Sequence, residues 1–358
     1  MKEKIRILAV NPGSTSTKIA LYENDNPIYA ENLFHPAEEI RKYGRISDQY
    51  EFRRSVIMEA VKEHGTDLNE IDAIVGRGGN MKPVQGGTYL INEAMLEDLK
   101  IGVMGQHASN LGGIIADAIA RPLYIPSYVV DPVVVDEFEE LARVSGIPEI
   151  QRKSKDHPLN QKAAARKAAA EMGKDYSELN FVVAHMGGGI SVGAHKRGRI
   201  IDVNNALDGD GAFSPERSGG VPVGALVEMC FSGKFTKAEV LGKITGSGGL
   251  VAYLGTNDGR EVQRRIKEGD RNARLIYEAM AYQVSKDIGA AAAVLKGDVA
   301  AVVLTGGVAY DEEFVSWIND RVGFIAPVKV YPGENEMIAL VQGVLRVFRG
   351  EEAARIYG

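Results

Sequence analysis

The segment AVNPGSTSTKIAL, Ala9 to Leu21, returns in outline about 175 residues later as VAHMGGGISVGAH. Each copy reads as a buried strand, a glycine turn, a second strand and, after another tight turn, a third. Overlaying Gly13 on Gly188 lays turn on turn and strand on strand. A strand–turn–strand unit that appears twice at this distance restricts the chain to two related α/β domains. The length of 358 residues supplies a core for each.

Between and after the copies the pattern turns helical. Helices are predicted from Arg53 to His64, behind Asn92 as N-cap, from Asn110 to Ala120, over NQKAAARKAAAEMG with Gly173 as its stop, from Arg271 to Leu295, and from about Asn335 to Arg349. Buried strands are predicted at IDAIVGRGG and VAAVVLTGG, both running into glycines.

Three glycine turns therefore end buried strands: NPGSTSTK, HMGGGIS and LTGGVAY. Glycine lets a phosphate approach backbone N–H groups, and Ser and Thr add hydroxyl donors. One such turn is as readily an ordinary hairpin; three, two of them in a repeated unit, point to a nucleotide. A helix-leading phosphate loop is excluded, because Lys174, Lys234 and Lys243 follow glycines without preceding Ser or Thr, and no GxGxxG occurs. The formal charge of −6 provides no field for nucleic acid, so anions must be drawn by local groups.

Two arginines are candidates for that work. Arg77 lies in VGRGGN, where bare backbone leaves room for an anion, and Arg217 lies in FSPERSGGVP. His35 and His64 read as surface residues and His195 as facing out of its strand, whereas His107, His157 and His185 adjoin the other motifs; none has zinc spacing. Asp131, in VVDPVVV, is a turn cap or a functional carboxylate. A single cysteine, Cys230, excludes an internal disulfide, no apolar run nears the roughly 18 to 20 residues of a membrane span, and MKEKIRILAVNPG is too short in apolar core for a signal peptide. The expectation is a cytoplasmic protein.

Together these residues resemble the acetate and butyrate kinase family, over nearly the whole chain. The resemblance implies an α/β fold of two facing duplicated domains of the actin-like ATPase (ribonuclease H-like) type, with the nucleotide in the interdomain cleft. The first domain would span residues 1–134 and be completed by a C-terminal helix at 338–358; the second would span 135–337 and carry the adenosine site. Asn11, Gly13, Ser14, Ser16 and Lys18 match the family's phosphate turn, with His185, Gly187, Gly188 and Gly189 as its counterpart in the second domain. Arg77 and Arg217 match its two arginines, His157 and Asp131 its further catalytic histidine and aspartate, and Glu336, with Asn11, its magnesium side. Asp258 and Arg260 in TNDGRE, with Gly306 and Gly307, resemble the adenosine side.

Within the family the match is to the butyrate branch, with GRGG, DHPLN and HMGGG where acetate kinases tend to have RVVHGG, HGTSH and HLGNG. Gly188 stands near the place of a missing asparagine donor, and Asp156 precedes the matched histidine where relatives often have Phe. The implied activity is ATP-dependent phosphorylation of a short-chain fatty acid to acyl phosphate and ADP with Mg²⁺, in a homo-oligomer without nucleic-acid or membrane partners. Butyrate is the first candidate; acetate, propionate and branched acids are alternatives. A sugar kinase of the same superfamily, or a nucleotide-gated chaperone or filament module, is the rival from outside the family.

Overall fold

A computed structural model of the chain describes residues 3–358, and these divide into two compact units, residues 3–136 with Asn335–Gly358, and Glu137–Glu334. In the first unit, β1 (Arg6–Pro12), β2 (Ser16–Glu23) and β3 (Asn26–Phe34) form an antiparallel meander. β4 (Ala73–Arg77) joins β1 in parallel, β6 (Ser127–Val130) joins β4 in parallel, and β5 (Thr88–Leu90) and the short strand Arg355–Ile356 extend that edge. Side chains alternate across the pleat, so Leu8, Val10, Ile19 and Leu21 share one core with Ile57, Met95, Leu111 and Ile115 of three helices, Tyr50–Glu63, Glu93–Ile101 and Asn110–Ala120. The helix Glu336–Phe348 also packs on β1, β4 and β6.

The second unit repeats the design. β7 (Asn180–Met186), β8 (Ile190–Lys196) and β9 (Arg199–Val203) form the meander, while β10 (Ala301–Gly306) and β11 (Val328–Pro332) add in parallel, in the order β11-β10-β7-β8-β9. Val182, Ala184, Val302 and Leu304 face the long helix Arg271–Val294. Phe181, Val183, Ala301 and Val303 face the alanine-rich helix Pro158–Glu171, whose small side chains let it lie close to the sheet. This helix starts at Pro158, where a missing N–H costs nothing, two residues before the predicted run. The Asn92 cap is as predicted: its side chain accepts the Met95 N–H at 3.0 Å, a contact of about 1 kcal/mol.

The repeat differs in one detail that the sequence overlay does not show. Pro12 pairs with Thr17 across the first hairpin and Met186 with Ile190 across the second, so the first turn has four residues, 13–16, and the second three, 187–189.

Candidate active site

In the first unit the β1–β2 turn presents Gly13, Ser14, Thr15 and Ser16. Gly13 donates to the Ser16 carbonyl at 2.7 Å, and the N–H groups of Ser14 and Thr15 have no partner among the described residues. Lys18 follows on β2, exposed and without an ion pair among the described residues. Asn11, at the end of β1, donates through Nδ2 to Glu336 Oε2 at 2.5 Å, and the other Glu336 oxygen contacts Arg77 Nη1. Asn11, Arg77 and Glu336 thus form one cluster, built from β1, the end of β4 and the first residue of the helix Glu336–Phe348.

Arg77 is fixed by its neighbours. A Cβ on Gly76 would stand 2.1 Å from the Gly112 carbonyl oxygen, one on Gly78 2.3 Å from Pro132 Cβ, and one on Gly79 2.4 Å from Asn110 Cα. Gly76 and Gly79 therefore let the strand end meet the helix Asn110–Ala120 backbone to backbone, and Gly78 makes room for Pro132 and Val129. These glycines do not open room for an anion, and that reading of VGRGGN is corrected. His107 lies close to Arg77, and burial followed by the Arg77 charge lowers its pKa. Asp131 is 1% exposed with φ 37°, and its Oδ1 accepts the Gly87 N–H at 2.7 Å. It anchors the loop that precedes β5.

In the second unit His185, next to last in β7, is 1% exposed, with neither ring nitrogen hydrogen-bonded among the described residues; its Nε2 lies 3.7 Å from Glu334 Oε1. A buried polar ring without a protein partner calls for one from outside the chain, whether water, ion or ligand. Its face stacks on His157 at 4.2 Å between centroids. Gly187, Gly188 and Gly189 form the turn, and Ser214 Oγ donates to the Gly188 carbonyl at 2.7 Å. Gly189 has a packing reason: a Cβ there would stand within 2.6 Å of Arg217 Cζ, so the guanidinium rests on bare backbone while Nη1 donates to the Ala206 carbonyl at 2.5 Å. Gly13, Gly187 and Gly188 have neither positive φ nor a neighbour closer than 3.3 Å to a built Cβ, so the fold itself does not demand glycine there.

His157 is held from behind by a buried chain. Its Nδ1 lies 2.8 Å from Ser191 Oγ; Gln161 Nε2 lies 2.7 Å from the same oxygen and 3.5 Å from the Ser191 carbonyl; Gln161 Oε1 meets His195 Nε2 at 2.8 Å; and Tyr176 Oη meets His195 Nδ1 at 2.7 Å. Only the amide nitrogen suits a position between two serine oxygens, which sets the direction of the whole chain. Tyr176 donates to His195, His195 to Gln161, Gln161 to Ser191, and the fully buried Ser191 hydroxyl to His157 Nδ1. The His157 proton then sits on Nε2. His195, expected on the surface, is fully buried, and burial, with Lys162 and Arg166 nearby, lowers its pKa well below its ordinary value. His35 is likewise buried, bonded to Thr17 Oγ1 at 2.8 Å and pushed down to about 4 by burial and Arg53. Of the three histidines read as surface residues, only His64, stacked on Tyr29, is exposed.

Next to the glycine turn lies a cavity of about 780 Å³ lined by Gly187, Gly188, Asp258, Arg260, Gly307 and Tyr310, among others. Asp258 caps the helix Gly259–Lys267 and pairs with Arg260 at 2.8 Å. Gly306, with φ 92°, keeps β10 against β7, where a Cβ would stand 2.3 Å from the Met186 carbonyl. Asp156 is buried beside the Lys162–Glu137 pair, and burial pushes its carboxyl up to about 7. Glu216, Asn257, Gln263 and Glu334 also line the cavity; Glu216 and Asn257 stand inside the quoted motifs beside Arg217 and Asp258, whereas Gln263 and Glu334 belong to none of them.

Comparison with known proteins places this geometry. Residues 150–322 match the model of the acetokinase family. The chain is 58% identical to butyrate kinase 2 of Clostridium acetobutylicum, over 99% of both chains, and 57% identical to butyrate kinase 1 of that organism, over 98% of this chain and 99% of the relative. Among solved structures, acetate kinase of Porphyromonas gingivalis superposes with a TM-score of 0.79 at 20% identity, covering 96% of this chain and all of that one. A propionate kinase of Francisella tularensis gives 0.71 at 21%, covering 95% and 98%. The fold is thus the two-domain α/β fold of the actin-like ATPase type, and by identity over nearly its whole length the chain belongs to the acetokinase family.

Proposed function

We propose that this protein transfers the γ-phosphoryl group of ATP reversibly to a short-chain carboxylate, butyrate first, giving acyl phosphate and ADP. The observation that carries the reading is the state of Asp131. A kinase acting on a sugar hydroxyl needs a carboxylate base, and here the candidate is almost fully buried and accepts a backbone N–H. A carboxylic acid, with a pKa of roughly 4 to 5, arrives already ionised and needs no base.

The remaining difficulty is electrostatic, because an anion must approach an anionic phosphate, so catalysis consists of positioning and charge neutralisation. Arg77 and Arg217 serve the carboxylate and the phosphoryl group in flight. His157 donates from Nε2 to its equatorial oxygens. Asn11, Gly13, Ser14, Ser16, Lys18, His185 and Gly187 to Gly189 hold the phosphates, and Asp258, Arg260, Gly306 and Gly307 frame the adenosine side. Asp131 keeps the loop ahead of β5 in place.

Glu336 and Asn11 would hold magnesium, which when bound neutralises phosphate charge. No cluster of three or more His, Cys, Asp or Glu suited to a metal exists among the described residues, which fits an ion drawing most of its ligands from phosphate and water. We assign the protein to a homo-oligomer, because the helix Val223–Phe231 buries none of its residues and exposes Val223, Val227 and Phe231 at 67%, 48% and 87%. The exposed lone thiol of Cys230 and the absence, among the described residues, of a helix able to cross a membrane accord with a cytoplasmic setting.

The test is ADP formation with acetate, propionate, butyrate and isobutyrate, with hydroxylamine trapping the acyl phosphate. Each buried methylene is worth roughly 0.8 kcal/mol, so butyrate is expected to exceed acetate by about tenfold in kcat/KM. Acetate winning moves the substrate, and no hydroxamate with any acid refutes the reaction.

A further inference from the structure

The β1–β2 turn has an arginine beneath it, outside every motif of the sequence. Arg53, on the helix Tyr50–Glu63, is 1% exposed. Its Nη1 donates to the Gly13 carbonyl at 2.7 Å, the Ser16 carbonyl at 3.1 Å and Thr17 Oγ1 at 3.3 Å; its Nη2 donates to the Ser14 carbonyl at 3.0 Å and to Gln49 Oε1 at 2.9 Å. The Thr15 carbonyl accepts the His35 N–H at 2.8 Å. All four carbonyls of the turn are thereby tied into the protein. A peptide whose C=O is held inward turns its N–H outward, and the N–H groups of Ser14 and Thr15 are the ones without a partner among the described residues.

A neutral donor would suffice to hold carbonyls, as Ser214 does for Gly188 in the other unit. Arg53 adds a full charge, and no carboxylate among the described residues pairs with it. Gln49, its side-chain partner, is neutral, and His35 beside it is held neutral by its low pKa. A buried cation without an internal counter-charge is costly unless an anion answers it. We propose that Arg53 is a positioning residue for the nucleotide's phosphates: it sets the direction of the turn's N–H groups, and the bound polyphosphate is its counter-charge. This rests on the reading of the β1–β2 turn as a phosphate site.

The test compares Arg53→Met and Arg53→Lys with Gly13→Ala, measuring ATP and inorganic pyrophosphate affinity by calorimetry and steady-state constants for ATP and butyrate. Arg53→Met is expected to weaken ATP and pyrophosphate by about tenfold or more, while kcat at saturating ATP and KM for butyrate stay within about threefold. Arg53→Lys, with the charge but not the fork, should lose roughly threefold to tenfold in KM for ATP. Should the methionine variant fail to fold, the lysine variant decides alone. Folded Arg53 variants with wild-type ATP affinity, beside a weakened Gly13→Ala, overturn the role of Arg53 and leave the turn standing. Wild-type affinity in all three removes the turn as a phosphate site. Equal losses in kcat and both KM values reduce Arg53 to a structural clamp.

Discussion

The β1–β2 and β7–β8 turns direct backbone donors outward by different means. In the first, an arginine from a neighbouring helix collects three carbonyls, and the tip carries hydroxyls with Lys18 close behind. In the second, one residue shorter, the tip is all glycine, one serine hydroxyl holds one carbonyl, and the cation is Arg217, lying across Gly189. The first turn has charge built in below it; the second borrows its charge from a side chain resting on its surface. The two copies therefore share the order strand, turn, strand and differ in turn length and in the source of positive charge.

The comparison breaks most completely at the two arginines beside the turns. Arg77→Ala and Arg217→Ala should each keep ATP binding and lose about 10² to 10⁴ in kcat, because both charges matter most when negative charge peaks. Arg217→Lys should recover little, since an ammonium cannot reproduce the fork. Normal turnover in either alanine variant, measured by coupled ADP release, would remove that arginine from the mechanism.

A smaller effect separates neighbouring glycines. Gly189→Ala drives a methyl into the Arg217 guanidinium and should lower kcat by about tenfold to a hundredfold by displacing it. Gly188→Ala meets Glu216 at an ordinary 3.6 Å and should leave stability intact while weakening ATP. Calorimetric titration of the two folded variants sharpens the contrast; equal effects on kcat and ATP affinity would mean that the turn responds as a unit.

The smallest effect concerns the charge background of the second unit. Asp156, pushed up to about 7, holds a proton in the folded state that the unfolded chain releases at lower pH. Stability therefore falls as pH rises from about 4 towards 7, and above that the folded state carries the full cost of a buried carboxylate. Asp156→Asn should raise Tm by roughly 2 to 4 °C at pH 8 and change it little at pH 4. A gain equal at both pH values would assign it to packing.

Much of the architecture is written locally. Strand alternation, glycine turns and caps such as Asn92 are short-range signals, and the duplication is visible because both copies keep strand, turn and strand in order. What the sequence hides is decided by packing across distance. Arg53 lies 40 positions from the turn it supports and reads as one charge on an amphipathic helix. His195 alternates as an outward residue of β8, yet the helix Pro158–Glu171 covers that face with Gln161. The glycines around Arg77 look like space for a ligand and are filled by the helix Asn110–Ala120 and by Pro132. Composition around a residue does not tell which neighbour occupies the room it leaves.

The chain of hydrogen bonds behind His157 has a bearing on what that histidine can do in a turnover. Each link, from Tyr176 through His195, Gln161 and Ser191, already has its donor and acceptor assigned, and reversal would require the Gln161 amide to rotate within a packed interior. With Nε2 already carrying its proton and Nδ1 accepting from Ser191, His157 has no free lone pair to take up a further one. A ring wired in this way is suited to a constant offer of one N–H and unsuited to ferrying protons. Carboxylate plus ATP going to acyl phosphate plus ADP, each in its ionised form, moves no proton, so under the proposed reaction a fixed donor is the only service asked of it.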